Sequence, residues 1–444
     1  MTERAAGIAA QALDLSKAGQ TEVIVSSSES ALTRFANNTI HQNVAEENAS
    51  VTIRAVAGRK VGIASGNDVS KAGLKRLARS ALEIARHQSE VPDFPGLPGA
   101  KPVAEVGAYS DATARLTPAK RAAMALAVIK PAARKGANAS GTVSHDAGSL
   151  AVVNSLGVRA SFARTEFEVT AVIEKETGAG YAGAISADHR RVNAKAVGSA
   201  ALAKCLKSQN PRSIEPGEYT VVLEPQAVAG LLSYIAYMGF GAQGYVEGRS
   251  FLSGRMGETL MHESVSIWDD GLDPGGLPAP FDYEGQPKSR VNLIEAGVAR
   301  NVVYDTYYAA KSAGAASTGH ALPPGFTGGP LPTNIFMAPG ESSLDEMIAS
   351  TEMGLLVTRF HYINIADPAR AVLTGLTRDG TFLVKKGRVR HPVKNLRFTE
   401  SMLSAFSAVE ALSRERSLES EMLGAMLVPA MKVSRFRFTG ATEF

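Results

Sequence analysis

The chain has 444 residues, 45% hydrophobic and 20% charged, with one cysteine and a formal charge of +4. That length exceeds what one hydrophobic core organises, so two or three domains are expected, and the ordinary globular balance excludes a long disordered tail. The lone Cys205 excludes an internal disulfide and fits a reducing compartment; with no apolar leader after Met1-Thr2-Glu3-Arg4-Ala5 and no apolar run of ~18 residues, a cytoplasmic location is expected. In chain order, residues 4–18 pattern as a short amphipathic helix. Thr21–Ser27, Ala31–Asn37 and Ile40–Ala45 alternate as strands, and Ala49–Ala57 and Lys60–Ala64 form a hairpin about Gly58-Arg59. Val69, Leu74, Leu77, Ala78, Ala81, Leu82 and Ile84 recur at helical spacing between Asp68 and His87, with Asn67 or Asp68 as the N-cap.

A Pro- and Gly-rich segment, 91–105, marks a boundary. The next unit opens with a helix over Thr117–Lys135, with Pro118 in its first turn. Strands Gly141–Asp146, Ser149–Asn154, Val158–Arg164 and Glu166–Glu176 follow, then a helix over Val192–Lys207. The third unit begins near 216 with a strand ending in Val221-Val222-Leu223-Glu224-Pro225 and a helix over Gln226–Met238. Beyond it lie strands and loops, with further helices at Ser342–Glu352 and Glu400–Leu412. A meander takes Ala371–Thr377, Thr381–Lys385 and Arg388–His391 through turns at Arg378-Asp379-Gly380 and Lys386-Gly387. The class is α+β, with units at 1–100, 101–215 and 216–444. The first two share a helix-plus-strands style, without a short tandem repeat.

Basic residues are dispersed, with small clusters at Lys385-Lys386-Gly387-Arg388-Val389-Arg390 and Arg435-Phe436-Arg437, and no aromatic-interleaved basic motif of a nucleic-acid module is present. A catalytic zinc takes three protein ligands from His, Cys, Asp or Glu and leaves a position open. No two of His41, His87, His145, His189, His262, His320, His361 and His391 are spaced to share a helix face. Met261-His262-Glu263 opens like a zincin motif, but no second histidine follows at helical spacing, and the alternation of Val265 and Ile267 reads as a strand. Gly178-Ala-Gly180-Tyr-Ala-Gly183 spells GxGxxG without a helix at once behind it, so it is read as a glycine-rich loop. GxxxxGK[ST] and GxSxG are absent, which argues against a P-loop and an α/β-hydrolase.

Several segments in order resemble the TldD/PmbA metallopeptidase family. Thr52–Gly62 is similar to its N-terminal strand pair, Pro280-Phe281-Asp282-Tyr283-Glu284-Gly285 to its PFDxEG element, and Leu293-Ile294-Glu295-Ala296-Gly297 to its LIENG-type hairpin. Ser317-Thr318-Gly319-His320-Ala321, Pro332-Thr333-Asn334 and Leu427–Val433 resemble its STGHA, PTN and C-terminal strand segments. In the TldD branch the helix corresponding to about 226–240 carries HExxxH; here those slots hold Ser233, Tyr234 and Met238. That branch takes its third ligand from a cysteine before the C-terminal strand, where Glu421–Leu427 has none. The chain therefore resembles the metal-free PmbA (TldE) branch. The resemblance implies N-terminal β-rich units with packed helices and a large, mostly antiparallel C-terminal domain. It implies no catalytic residues and no metal in this chain, and zinc in a TldD-type partner. The implied heterodimer is a peptidase acting on unfolded or extended peptides, such as peptide precursors and antitoxins. Neither nucleic acid nor membrane is an expected partner. A stand-alone hydrolase and a homodimeric peptide-binding protein are the alternatives.

Four residues are candidates for substrate contact. His320 heads a long Gly- and Pro-rich loop, and Asn334 opens a strand where its amide faces a bound backbone. Arg359 and His361 share a strand face with Ile363, opposite Phe360 and Tyr362. Tyr234, Tyr237 and Phe240 read as core packing or as part of a subunit interface.

Overall fold

The computed structural model describes residues 2–442, so the outermost ends of the first and last units lie outside the described residues. The first two units repeat one order of elements. Helix α1 (Thr2–Asp14), strands β1 (Gln20–Ala36), β2 (Thr39–Ala57) and β3 (Lys60–Gly66), and helix α2 (Lys71–His87) form the first. After the single turn α3 (Asp111–Ala114) come α4 (Pro118–Arg134), β4 (Asn138–Asn154), β5 (Arg159–Lys175), β6 (Gly178–Ser186) and α5 (Ala194–Lys207). Their strands join in one six-stranded sheet, ordered β3-β2-β1-β4-β5-β6, with the pairing between β1 and β4 at its centre. The four long helices lie on one face. Val23, Val25, Val51 and Ile53 pack under α1 and α2, and Val143, Phe167, Val169 and Ile173 under α4 and α5.

Several strands run on where the sequence suggested breaks. Ser28–Ser30 looks like a break, yet β2 and β4 pair with β1 across it, and just before it Ser27 Oγ meets Ser149 Oγ at 2.7 Å. The pairs 141–146 with 149–154, and 158–164 with 166–176, likewise merge into β4 and β5. The N-cap of α2 is Ser70, whose side chain accepts from Gly73 N, rather than Asn67 or Asp68.

The segment Gly178–Gly183 is not a loop but the start of β6, and helix packing explains its glycines. A Cβ at Gly180 would run into Ala201 O and Cys205 N of α5, and one at Gly62 into Ala81 O and Ala85 N of α2. The two halves thus seat a helix on an outer strand by the same device. Gly180→Ala and Gly62→Ala are each expected to cost about 1–3 kcal/mol through overpacking. Gly7→Ala, with open space around it, should be neutral or stabilising; urea midpoints of the three variants decide.

The remaining strands form an eleven-stranded sheet. Its elements are β7 (Glu218–Leu223), α6 (Pro225–Gly239), α7 (Ala242–Val246), β8 (Ile267–Asp269), β9 (Val291–Glu295), β10 (Val298–Ala299), α8 (Thr306–Ala310), β11 (Ile335–Met337) and α9 (Leu344–Ala349). Then follow β12 (Met353–Asp367), β13 (Val372–Lys385), β14 (Arg388–Pro392), β15 (Leu396–Ser401), α10 (Met402–Ser407), β16 (Val409–Glu421) and β17 (Gly424–Ala441). Most pairs are antiparallel; β7 with β12 and β11 with β17 are parallel. The ladder closes through β17-β15-β13-β12-β7 and back to β17, and Phe360, Phe398, Phe436 and Phe438 pack in one aromatic cluster.

Four expectations change here. Arg378-Asp379-Gly380 is not a hairpin turn; β13 continues through it as a bulge, with Asp379 at φ 54° and Gly380 at φ 124°. The helix placed over 400–412 is only α10, because Glu400 pairs with Leu373 in the sheet and Val409 onward pairs with β17. Around Met261–Trp268 only Ile267 onward is strand. Finally, β12 loses its alternation at a bulge between His361 and Asn364, where Tyr362 sits at φ 50° and is 71% exposed, so Ile363 joins Phe360 in the core instead of facing away from it.

Candidate functional site

Helix α6 is set by Pro225 at its first turn and by a nearly continuous apolar sequence. It packs against β12, β16 and β17, and of its middle residues only Tyr234 and Tyr237 are not buried. Ser233 is fully buried with an unpartnered Oγ, and Met238 is buried in the same core. Towards the N-terminal sheet stand carboxylates from the β16–β17 hairpin. Gln226 Nε2 donates to Glu421 Oε1 (2.7 Å). Burial lifts both Glu419 and Glu421 to about 7, and Tyr234 is held above its usual range by burial and by Glu421.

Zinc does not fit this helix. Its slots offer a hydroxyl, a phenol and a thioether, and no group of three or more His, Cys, Asp or Glu is placed to hold a metal ion among the described residues. Cys205 is buried on α5, with its Sγ donating to Gly178 O at 3.5 Å.

A cavity of about 280 Å³ lies between the six-stranded sheet and the C-terminal region. Phe162, Arg164 and Glu166 wall it on one side; Lys288, His320 and Asn334 wall it on the other. The last three meet around Asp269. Asp269 Oδ1 accepts from His320 Nε2 (2.8 Å), and its Oδ2 accepts from Asn334 N (2.6 Å). Lys288 Nζ donates to Thr333 Oγ1 (2.7 Å) and Asn334 Oδ1 (2.8 Å). Asn334 Nδ2 donates to Leu277 O (2.7 Å). Burial works against the Asp269 charge, but Lys288 and His320 outweigh it and hold the carboxyl below its usual range. Burial lowers His320 despite Asp269. Its imidazole is neutral near pH 7, with Nε2–H on Asp269 and Nδ1 facing Thr318 Oγ1 (2.9 Å). Both ring nitrogens are engaged and the side chain is fully covered, so this dyad shapes the cavity wall.

The structure thus brings together two of the four sequence candidates, His320 and Asn334. Arg359 and His361 lie on β12 and do not line this cavity. Arg359 Nε donates to Asp379 Oδ2 (2.7 Å), and its guanidinium covers the Tyr181 ring at 4.2 Å. His361 is half-buried against the Tyr362 ring (4.3 Å). Asp269 and Lys288 were missed because no local spacing ties an acid to a histidine 51 residues away. Asp282 lies within the Pro280–Gly285 motif, which carried the signal. Its Oδ1 accepts from Glu284 N and Gln286 N, its Oδ2 from Ala321 N, and burial lifts it to about 8.

Among known proteins, the model of the PmbA/TldA metallopeptidase C-terminal domain matches residues 216–440, and that of PmbA/TldA metallopeptidase domain 1 matches residues 21–85. An uncharacterized protein of Methanocaldococcus jannaschii is 32% identical over 210 residues, 47% of this chain and 49% of that protein. A zinc metalloprotease TldD homolog of Saccharolobus solfataricus is 25% identical over 219 residues, 48% of this chain and 47% of that protein. The chain spans about half the length of the curated relatives it matches. The crystal structure of TldE from Thermococcus kodakarensis superposes with a TM-score of 0.89 at 21% identity, covering 98% of this chain and 99% of that one, which establishes the shared fold.

Proposed function

Because the chain belongs to the PmbA/TldD metallopeptidase family, we propose that it is the metal-free subunit of a peptidase whose zinc sits in a TldD-type partner. In this reading the chain has no catalytic residue of its own. It walls a chamber and holds unfolded or extended peptides, for precursor maturation or peptide degradation. The observation that carries it is α6: Ser233, Tyr234 and Met238, which the family resemblance sets against the zinc motif, offer a hydroxyl, a phenol and a thioether, and Ser233 and Met238 are buried in the core. A main-chain-binding cleft needs a sheet and loops rather than a metal. His320 and Asn334 support the cavity wall, and Arg359 and His361 remain candidate peptide contacts on β12. A cytoplasmic setting agrees with the free, buried Cys205, and no helix among the described residues is long and apolar enough to cross a membrane.

Elemental analysis of the untagged chain, purified without chelator, tests this. The expected zinc content is below about 0.1 per chain, and chelator should leave its melting unchanged, since a bound metal would raise stability by mass action. Mixed with a TldD-type subunit, the chain should co-elute with it, and the pair should cleave an unfolded peptide in a chelator-sensitive way. About one zinc per isolated chain, or chelator-resistant cleavage by the chain alone, would overturn the reading.

A further inference from the structure

The helix-free face of the six-stranded sheet is only half covered. At one end Ile24, Val152, Val158 and Ala160 pack against Phe281 of the C-terminal region. At the other end the face opens as a cavity of about 340 Å³ that crosses β2, β1, β4 and β5. Its floor is two straight cross-strand rows. One runs Glu46–Ser30–Asp146–Glu166, and the next runs Val44–Leu32–Ser144–Glu168. Glu166 also borders the cavity between the sheet and the C-terminal region. At its outer end the trough meets β2 residues 39–50, which have no strand partner on their outer edge among the described residues.

Asp146 and Glu166 are directly opposed on adjacent strands. Like charges in that relation destabilise a sheet. No Lys or Arg lies within ion-pair distance of Asp146, Glu166 or Glu168 among the described residues. Burial raises all three carboxyls; Arg164 at the trough's side only partly offsets this for Asp146 and Glu166, and a hydrogen bond with Ser420 of β16 only partly for Glu168. A violation of a local rule that its neighbours only partly offset marks a site where stability has been given up for something else.

We propose that this trough is a docking site for extended peptides carrying basic side chains, laid across the strands from the β2 edge towards the cavity beside His320. The inference rests on the peptide-holding reading above and names its substrate class. An extended chain places same-face side chains about 7 Å apart. Adjacent strands lie about 4.8 Å apart along each row, so flexible lysine or arginine side chains at that repeat each reach an acid of the two rows. A second copy of this chain is the poorer occupant: its matching edge, 39–50, brings Glu46 and Glu47 and no Lys or Arg.

The test uses the full chain and three fluorescein-labelled, unstructured twelve-residue peptides built from Lys/Ser, Gln/Ser and Glu/Ser. Anisotropy should rank them in that order, with the Lys peptide at least about tenfold tighter than the Gln peptide and weakened by salt. The double variant Asp146→Asn/Glu166→Gln should lose about tenfold for the Lys peptide while melting at a higher temperature, because the opposed charges are gone. Hydrogen exchange should show protection of 39–50 and 142–146 on binding. Equal affinity for the Lys and Gln peptides, or an unchanged double variant, overturns the proposal. A dimer of this chain that falls apart in the double variant also overturns it, in favour of self-association. Protection confined to the cavity beside His320 without charge preference overturns it too, yet leaves the subunit reading intact. Lys-peptide binding in the trough, without capture of a TldD-type partner, would uphold the trough and sink the subunit reading.

Discussion

Arg54→Met is expected to lower the unfolding free energy by about 3–5 kcal/mol, the range for removing one member of a buried ion pair. Arg54 on β2 stands opposite Glu22 on β1. Its Nη2 donates to Glu22 Oε2 (2.8 Å) and reaches across to Glu284 Oε1 (3.1 Å) in the C-terminal region. Glu284 Oε2 in turn accepts from Thr306 N (3.0 Å). One guanidinium therefore ties the sheet to the loop that carries the Pro280–Gly285 motif, and methionine leaves two covered carboxylates facing each other. The pair is already under-satisfied, since Glu22 Oε1 and Arg54 Nε have no partner. Burial lifts Glu22 from 4.5 to about 7, against the opposing pull of Arg54. The folded state thus holds this proton more tightly than the unfolded chain. Its contribution is fully present below pH 4.5 and is lost as pH rises through about 7, on the order of 3 kcal/mol in all. Without Arg54 the carboxyl should titrate higher still, so the deficit of the variant should be smaller at pH 5 than at pH 8. Glu22→Gln in the Arg54→Met background should recover part of the loss. Denaturant titrations of wild type and the two variants at both pH values decide; a deficit below 1 kcal/mol, equal at both, would mean that the bridge is screened and does not hold the two regions.

Legibility in the sequence followed locality. Helices with full apolar periodicity, such as Pro118–Arg134 and Pro225–Gly239, could be read because burial on one face leaves a period of its own. Long strands were cut short wherever polar residues such as Ser28–Ser30 interrupted them, since what keeps them extended is pairing with neighbours on both sides. Glycines at 178 and 180 suggested a loop, because a close helix contact and a turn both demand the absence of a Cβ. The α10 segment kept helix-compatible spacing over 402–412, but the ladder with β17 claims its second half. At the site, His320 and Asn334 were found through motifs, whereas Asp269 and the acidic rows depend on strand register and Lys288 on the path of a loop. Asp146 and Glu166 are ordinary surface acids in the sequence; only the pairing of β4 with β5 puts them opposite one another.

Asp269→Ala should be the most damaging single change in the cleft, again about 3–5 kcal/mol. The carboxylate is fully buried and serves two donors, His320 Nε2–H and Asn334 N–H, while balancing the charge of Lys288. Removing it strands both donors and leaves a buried ammonium whose remaining partners, Thr333 and Asn334, are neutral. Asp269→Asn keeps the shape but cannot accept at both oxygen positions. His320 can adapt by moving its proton to Nδ1 and donating to Thr318, so asparagine should restore part of the loss that alanine does not. The pH dependence has the opposite sign to that of Glu22. Asp269 is held below its usual 3.8, so its contribution is present above pH 3.8 and is lost as pH falls through the lower folded value. His320 is held below its usual 6.5, so the folded state favours the neutral ring, and that contribution fades as pH falls below 6.5. Wild-type protein should therefore show opposing slopes, with the Glu22 term favouring mild acid and the dyad resisting it, and Asp269→Asn should remove the acid-side loss below pH 4. Urea titrations from pH 3.5 to 8 on wild type, Asp269→Ala and Asp269→Asn separate the two. If alanine and asparagine prove equally mild and the acid-side slope persists, the dyad is a bystander, and the cavity wall is held by Asp282 and its three backbone donors instead.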